Sequence, residues 1–148
     1  MNEQQEPILT AKEYLSQAYR IDQRINSKIS QVQSLRDLAA RATATLSDMP
    51  RSASPNHHRM EDFLIKAMDL ESEINNDLCR LIDTKREIVT IIKCVENREL
   101  QTLLEARYLC FKTWEEIAVE MHFDLRWVYR LHGRALDEVD AIRHHRPL

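Results

Sequence analysis

The chain has 148 residues, of which 43% are hydrophobic and 30% charged, with one glycine and four prolines. This length suits one domain, or one small domain with an extended appendage. The scarcity of glycine beside abundant Leu, Ile, Ala, Glu and Arg predicts an all-α protein. No apolar run approaches the ~18 residues of a membrane-spanning helix, so we expect no membrane partner. The net charge of −3 means that any contact with DNA must come from a local basic face.

The N-terminal residues, MNEQQEPILT, are acidic and lack the basic and then apolar segments of a signal peptide. We therefore expect a cytoplasmic protein whose residues 1–9 are disordered. The three cysteines, Cys79, Cys94 and Cys110, are odd in number and widely spaced, which favours reduced side chains carried on helices.

A seven-residue repeat of a coiled-coil type begins after Thr10, which can cap a helix together with Glu13. One line of the repeat is almost entirely apolar and consists of Ala11, Ala18, Ile25, Val32, Ala39 and Leu46. The second line consists of Tyr14, Ile21, Lys28, Leu35, Ala42 and Met49. Lys28 interrupts this second line. A charged residue there either fixes the register of the helices or lies solvated where they splay, and we favour the solvated side chain.

Residues 49–58, MPRSASPNHH, hold two prolines, two serines and an asparagine and predict a loop. A second long helix is expected over about 59–95. Its predicted apolar seam consists of Met60, Leu64, Ala67, Ile74, Leu78, Leu81, Ile88, Ile92 and Val95. Two helices of similar length joined by such a loop predict an antiparallel hairpin over 10–95. Because a hairpin leaves much apolar surface uncovered, we expect it to form a homo-oligomer, most simply a homodimer.

Three shorter helices are expected over 98–109, 114–121 and 125–142, which together form a helix-turn-helix head at 97–142, followed by a disordered tail at 143–148. Thr113 and Glu116 have the spacing of a capping box, and Asp124 is placed to cap the last helix. Ala118 supplies the small side chain that the motif needs where its two helices nearly touch. The turn requires His122 to adopt a left-handed backbone conformation.

The last helix has an apolar stripe at Val128, Leu131 and Ala135, and its opposite face carries arginines at four-residue spacing. A recognition helix enters the major groove of double-stranded DNA with its N-terminus first. Its early outward residues are therefore the candidates for contact with base edges, and these are Leu125, Arg126 and Arg130. An arginine paired with guanine contributes ~1–3 kcal/mol of discrimination.

The DNA backbone has its own candidate contacts, which flank those three residues or precede the second helix: Trp127, Tyr129, Arg134, Lys112, Thr113 and Arg107. The alternative for the arginines is a solvated face paired with Glu or Asp, and Trp127 could instead pack against the long helices. We expect Trp114 to be a packing residue and His132 to lie on the surface near the DNA face.

Three pieces of this head carry a family resemblance: RYL at 107–109, TWEEIA at 113–118, and the capped helix from Asp124 through Ala135 and Leu136. Residues 98–139 resemble region 4 of bacterial sigma factors, in which the positions of Leu125, Arg126 and Arg130 read promoter DNA. Over most of its length the chain resembles small prophage proteins of Gram-positive bacteria allied to the ArpU-type late-gene transcriptional regulators. The resemblance implies a phage-encoded transcriptional regulator in the cytoplasm of a bacterial host.

The chain departs from the region 4 pattern at several positions. His122 stands where the turn usually has glycine, Asp124 replaces a Ser or Thr cap, Leu125 replaces a polar reader, and Gly133 lies inside the last helix. Residues 97–148 carry eight Arg or Lys and nine Asp or Glu, so this half is about neutral. These departures favour a head that acts with a second copy or another protein.

Two other functions stay open: an interaction module that binds host RNA polymerase or a sigma factor, and a small terminase-type DNA-packaging subunit. An enzyme is not expected. Cys110 has no catalytic partner pattern, and Glu115 and Glu116 are adjacent on a helix and point apart. The histidine pairs at 57–58 and 144–145 lack further metal ligands, and no glycine-rich loop could hold a phosphate. We therefore expect no metal and no cofactor.

Overall fold

A computed structural model describes residues 9–46 and 55–145, and within these ranges the chain forms helices without a β-strand, which confirms the all-α class. The elements are α1 (Ala11–Leu15), α2 (Gln17–Leu46), α3 (Pro55–Lys93), α4 (Arg98–Leu104), a π-helical turn (Glu105–Leu109), α5 (Trp114–Met121) and α6 (Leu125–His145). None of the described helices is long and apolar enough to cross a membrane. The predictions for residues 1–8, 47–54 and 146–148 lie outside the described residues.

Internal contacts divide the chain into two units, Met1–Arg20 with Ile82–Leu148, and Ile21–Leu81. This division differs from the predicted domain boundary at 95–97. It arises because α1 packs on α6 and because the C-terminal part of α3 is buried within the first unit. The side-chain amide of Gln101 in α4 donates to the carbonyl of Val95 at 2.5 Å, which ties the two segments together.

The Ile21–Leu81 unit consists of parts of α2 and α3 that run antiparallel. Lys28 on α2 pairs with Asp77 on α3, and Arg36 pairs with Glu71. The residue numbers of the partners on α3 decrease as those on α2 increase, as they do in an antiparallel hairpin.

The first line of the predicted heptad repeat supplies the buried side of α1 and α2. Its described members are all buried: Ala11, Ala18, Ile25, Val32 and Ala39. The second line, from Tyr14 to Ala42, is half-buried at each of its described positions. Small and branched side chains thus make up the buried side of these helices, as the seam pattern predicted.

The predicted seam of α3 is partly wrong. Ala67, Leu81 and Ile88 are buried as expected, but Leu64 and Leu78 are 36% and 40% exposed. Only one line of the seam is displaced, by one residue: positions 63 and 70 are half-buried and position 77 is buried, where the prediction had Leu64 and Leu78. The polar member of that line, Asp77, is buried because it pairs with Lys28.

The prediction that Lys28 is solvated is also wrong. Its Nζ atom donates to Oδ2 of Asp77 at 2.6 Å, and the two side chains are only 14% and 9% exposed. The hydrogen bond and the charge of Lys28 hold the pKa of Asp77 below its ordinary value. Removing one partner of such a partly buried pair destabilises the protein, because the other charge is left without a partner. The pair also fixes which residue of α2 lies opposite which residue of α3.

Several helix boundaries differ from the predicted ones. Ser16 separates α1 from α2 because its hydroxyl donates to the carbonyl of Lys12 at 2.6 Å, a competing bond that bends helices. The second long helix begins at Pro55 instead of 59, since proline is favoured in the first turn, so residues 55–58 of the predicted loop are helical. The predicted helix 98–109 leaves α-helical geometry at Leu104 for the π-helical turn.

The predicted tail at 143–148 begins too early, because α6 continues to His145. Arg143 explains the extra turn. Its guanidinium donates to the carbonyl of Leu9 at 2.8 Å and lies 4.5 Å from the ring centroid of Tyr14. These contacts also hold Leu9, which the sequence placed in the disordered N-terminus.

Candidate nucleic-acid interface

Helices α5 and α6 are joined by a short, well-capped turn. The Thr113 hydroxyl and the Glu116 side chain form the predicted capping box at the start of α5. His122 ends that helix with φ 57° and ψ 39°, which is the left-handed conformation that the turn was expected to require. The Asp124 carboxylate then accepts a hydrogen bond of 2.8 Å from the backbone N–H of Trp127 and caps α6 as predicted.

The inner faces of this helix pair are apolar. Ile117 and Ala118 are the buried residues of α5. The described side chains of α6 that are buried and apolar are Val128, Leu131, Ala135 and Val139. The stripe predicted from the sequence therefore packs inward, with Val139 as an addition and with Leu136 only half-buried. Because α6 is anchored along one side, its opposite side is held outward.

The outward side of α6 carries four exposed residues at helical spacing, which are Arg126, Tyr129, Arg130 and Arg134. We call them the α6 face. Within the described part of the chain, neither Arg126 nor Arg130 forms an ion pair. The alternative of arginines neutralised by neighbouring acids therefore finds no support in the geometry.

A shallow hollow of about 220 Å³ lies at the N-terminal end of the α6 face and is lined by Asp124, Arg126, Trp127 and Arg130. Trp127 is half-buried there, and its ring contacts the ring of Phe123 at 6.5 Å between centroids. The Arg134 guanidinium lies 5.5 Å from the Trp127 ring centroid. Leu125 is half-buried beside them. The hollow thus combines two cationic side chains, one carboxylate and one aromatic edge.

The remaining residues that were predicted to contact the DNA backbone precede α5 and already have partners within the protein. Lys112 forms an ion pair of 2.6 Å with Glu120, and this hydrogen bond raises the pKa of Lys112. The pair is partly solvated, so it is weak enough to be exchanged for another anion. The Thr113 hydroxyl accepts from the N–H of Glu116, and Arg107 donates to the carbonyl of Lys112 at 2.9 Å.

His132 is the clear error of the sequence prediction, because it is buried and does not lie on the surface. Its Nε2 atom shares a hydrogen bond of 2.6 Å with the Tyr108 hydroxyl. Its ring lies 4.4 Å from the Trp114 ring, measured between centroids. Trp114 is a packing residue as predicted, and it also contacts Tyr129 of the α6 face at 5.7 Å.

Burial controls the protonation of this pair. Burial, together with the charges of Lys12 and Arg107, lowers the pKa of His132 to about 4. Burial likewise raises the pKa of Tyr108 to about 12. Both side chains are therefore neutral at pH 7, and His132 acts as a neutral packing group behind the α6 face.

The sequence did not reveal this cluster, because Tyr108 and His132 are 24 positions apart and belong to different elements. The one available signal was that His132 follows the apolar stripe position Leu131. Elsewhere, Cys79, Cys94 and Cys110 are free and exposed, and only Cys79 lies within a helix. The described residues contain no group of three potential metal ligands.

Comparisons of the chain with models of protein families, with curated proteins and with solved structures found no match.

Proposed function

We propose that this chain is a phage-encoded transcriptional regulator that binds double-stranded DNA through the α6 face and oligomerises through its long helices. The observation that carries the proposal is the exposure of Arg126 and Arg130 without ion-pair partners in the described residues, on a helix whose opposite side is anchored in the core. Arginines with free guanidinium groups are the side chains most often paired with guanine in the major groove.

The order of residues along α6 agrees with this use. Arg126 and Arg130 lie in its first two turns, which are the turns that a recognition helix brings to the base edges. Tyr129 and Arg134 flank them, where the phosphate backbone would pass. Lys112 and Thr113 stand just before α5, and Lys112 could exchange Glu120 for a phosphate oxygen.

Oligomerisation is proposed because the Ile21–Leu81 unit leaves large apolar side chains uncovered. The exposed ones are Ile29, Leu38, Leu64, Ile65, Met68 and Leu78. Ile65 and Met68 are one helical turn apart and are 56% and 63% exposed. Neighbouring exposed apolar side chains of this size are typical of a surface that another protein covers. A second copy would cover this surface and place two α6 faces on one DNA molecule.

Selection of random duplexes by the purified protein tests the DNA-binding proposal. We expect enrichment of a common sequence, and no enrichment by the Arg126→Ala/Arg130→Ala variant. The matched control is Arg59→Ala/Arg80→Ala, which removes two exposed arginines from α3. Unchanged enrichment by the α6 variant would contradict the assignment of the reading face. Light scattering on the same samples reports the number of copies, and a ring of about eight or more would favour the packaging subunit over a dimeric regulator.

One observation favours a second candidate, a module that binds host RNA polymerase or a sigma factor. Asp124 places a carboxylate in the same hollow as Arg126 and Arg130, which suits a protein surface of mixed charge better than a phosphate backbone. Capture of polymerase by the wild-type protein, lost in the α6 variant and without duplex selection, would identify this function instead.

A further inference from the structure

A second site lies in the unit formed by Met1–Arg20 and Ile82–Leu148. There a partly enclosed cavity of about 170 Å³ is bounded by α1 and the first turn of α2, the π-helical turn and the segment before α5. Its walls include two cationic side chains, Lys12 and Arg107, and three aromatic ones, Tyr19, Phe111 and Trp114. Two of its lining residues, Arg107 and Thr113, were named above as candidate contacts to the DNA backbone, but the cavity itself has not been used.

The positive charge in the cavity is not offset. Within the described residues neither Lys12 nor Arg107 has an ion-pair partner. Arg107 donates one hydrogen bond to the Lys112 carbonyl and stacks 4.5 Å from the Trp114 ring centroid, which fixes its position. Both cations lie close enough to His132 to disfavour its protonation. A cavity with two uncompensated cations at its wall selects for an anion.

The aromatic side chains form the remaining wall. Phe111 and Tyr19 meet edge to face with 5.5 Å between ring centroids, and Lys85 covers Phe111 at 4.8 Å. Trp114 lines the cavity and is itself held by the rings of His132 and Tyr129. These contacts hold the three aromatic side chains in place beside the cations, and together they give the cavity an apolar wall of the kind against which an aromatic ring packs.

The backbone around the cavity adopts two uncommon conformations. Phe111 has φ 58°, which is strained for a bulky residue. Arg107 and Tyr108 belong to the π-helical turn Glu105–Leu109, a form that recurs at functional sites. Local strain of this kind persists where the surrounding structure holds side chains in a required place.

We propose that this cavity binds a small aromatic carboxylate, with the carboxylate between Lys12 and Arg107 and the ring against Phe111 and Trp114. The volume of about 170 Å³ agrees with this class of ligand, because a cavity of about 150 Å³ accommodates benzene. The cavity is not lined by Arg126 or Arg130, so benzoate binding does not require the residues proposed to read DNA.

Titration of the full-length protein with benzoate, followed by amide NMR shifts, tests the proposal. We expect saturable shifts confined to residues 12–19 and 107–114 and to their direct contacts. Benzamide has the same shape without the charge, and acetate has the charge without the ring. Each should bind about tenfold more weakly or worse, because each lacks one half of the recognition.

Lys12→Gln should weaken benzoate binding about tenfold, since it removes one charged donor. Lys93→Gln is the matched control, because it removes an exposed cation at the end of α3 that does not line the cavity. Ser16→Leu provides a second variant whose larger side chain should fill the cavity and abolish binding. Circular dichroism checks that each variant is folded. If Lys12→Gln is not folded, the comparison of benzoate with benzamide and acetate and the Ser16→Leu variant decide.

Four results would overturn the proposal. They are the absence of saturation by benzoate, shifts centred elsewhere in the chain, equal binding of benzamide, and equal affinity of the Lys12→Gln and Lys93→Gln variants. A negative selection of DNA duplexes would leave the benzoate result unaffected, so the two proposals fail independently.

Discussion

The protonation of His132 makes the stability of the protein depend on pH in a calculable way. The pKa of this buried side chain falls from its ordinary 6.5 to about 4, so the unfolded chain binds the proton more tightly than the folded protein does. Stability should therefore be complete above about pH 6.5 and should fall as the pH drops from there toward 4. Tyr108 is neutral throughout this range, because burial raises its pKa to about 12.

Linkage with these two pKa values gives a loss of about 1.8 kcal/mol in the free energy of unfolding between pH 7 and pH 5. We expect about 1–1.5 kcal/mol, because solvent still screens part of the interaction of His132 with the nearby cations. The variant His132→Gln removes the titrating group and keeps a hydrogen-bonding side chain next to Tyr108. The free energy of unfolding of this variant should therefore fall by about 1–1.5 kcal/mol less than that of the wild type between pH 7 and pH 5.

Urea unfolding at pH 7 and pH 5, followed by tryptophan fluorescence, measures the effect, because Trp114 lies against His132. Protein concentration is held constant so that association does not change between samples. The control variant His58→Gln removes an exposed histidine of α3 and should behave as the wild type. If His132→Gln and the wild type lose stability in parallel, then the buried His132 does not control this pH dependence.

Three further outcomes concern the fold. His122→Gly should raise the free energy of unfolding by up to about 1 kcal/mol in urea titration, because glycine accepts the φ of 57° without a Cβ clash; a loss would mean that the His122 side chain makes a stabilising contact. Gly133→Ala should stabilise by about 0.5–1 kcal/mol by thermal unfolding, since an added Cβ meets no atom within 4 Å, and a lower melting temperature would show a hidden clash. Lys28→Met should destabilise the protein by leaving Asp77 unpaired, and adding Asp77→Leu should restore stability; equal stability of the single variant and the wild type would show that the pair is not coupled.

The helical architecture and the local caps could be predicted because they depend on residues close in sequence. Thr113 with Glu116, the left-handed His122 and the Asp124 cap each follow from rules that involve four or five consecutive residues. The buried line of α2 followed from a strict repeat of small and branched side chains. The exposure of Arg126 and Arg130 followed from the helical spacing of the apolar stripe of α6, which lies on the opposite side of that helix.

Apart from the helix boundaries, the errors concern contacts between distant segments. Nothing within ten residues of Lys28 predicts that its ammonium group will donate a hydrogen bond to Asp77, so the sequence did not place Asp77 on the buried side of α3. His132 was placed on the surface because its partners, Tyr108 and Trp114, come from other elements. The cavity combines Lys12 with Arg107, which are 95 positions apart, and its strained Phe111 has no sequence signature.

The measurement that tests the proposed DNA interface most directly is the ratio of affinities for a selected duplex and a scrambled one, by fluorescence anisotropy at fixed salt. We predict that the wild type and Arg59→Ala/Arg80→Ala prefer the selected duplex by about 10³-fold or more. The ratio should fall toward one in Arg126→Ala/Arg130→Ala, while weak salt-dependent binding remains. A wild type that does not distinguish the duplexes, or an α6 variant that keeps the full ratio, would contradict the proposal that Arg126 and Arg130 read DNA.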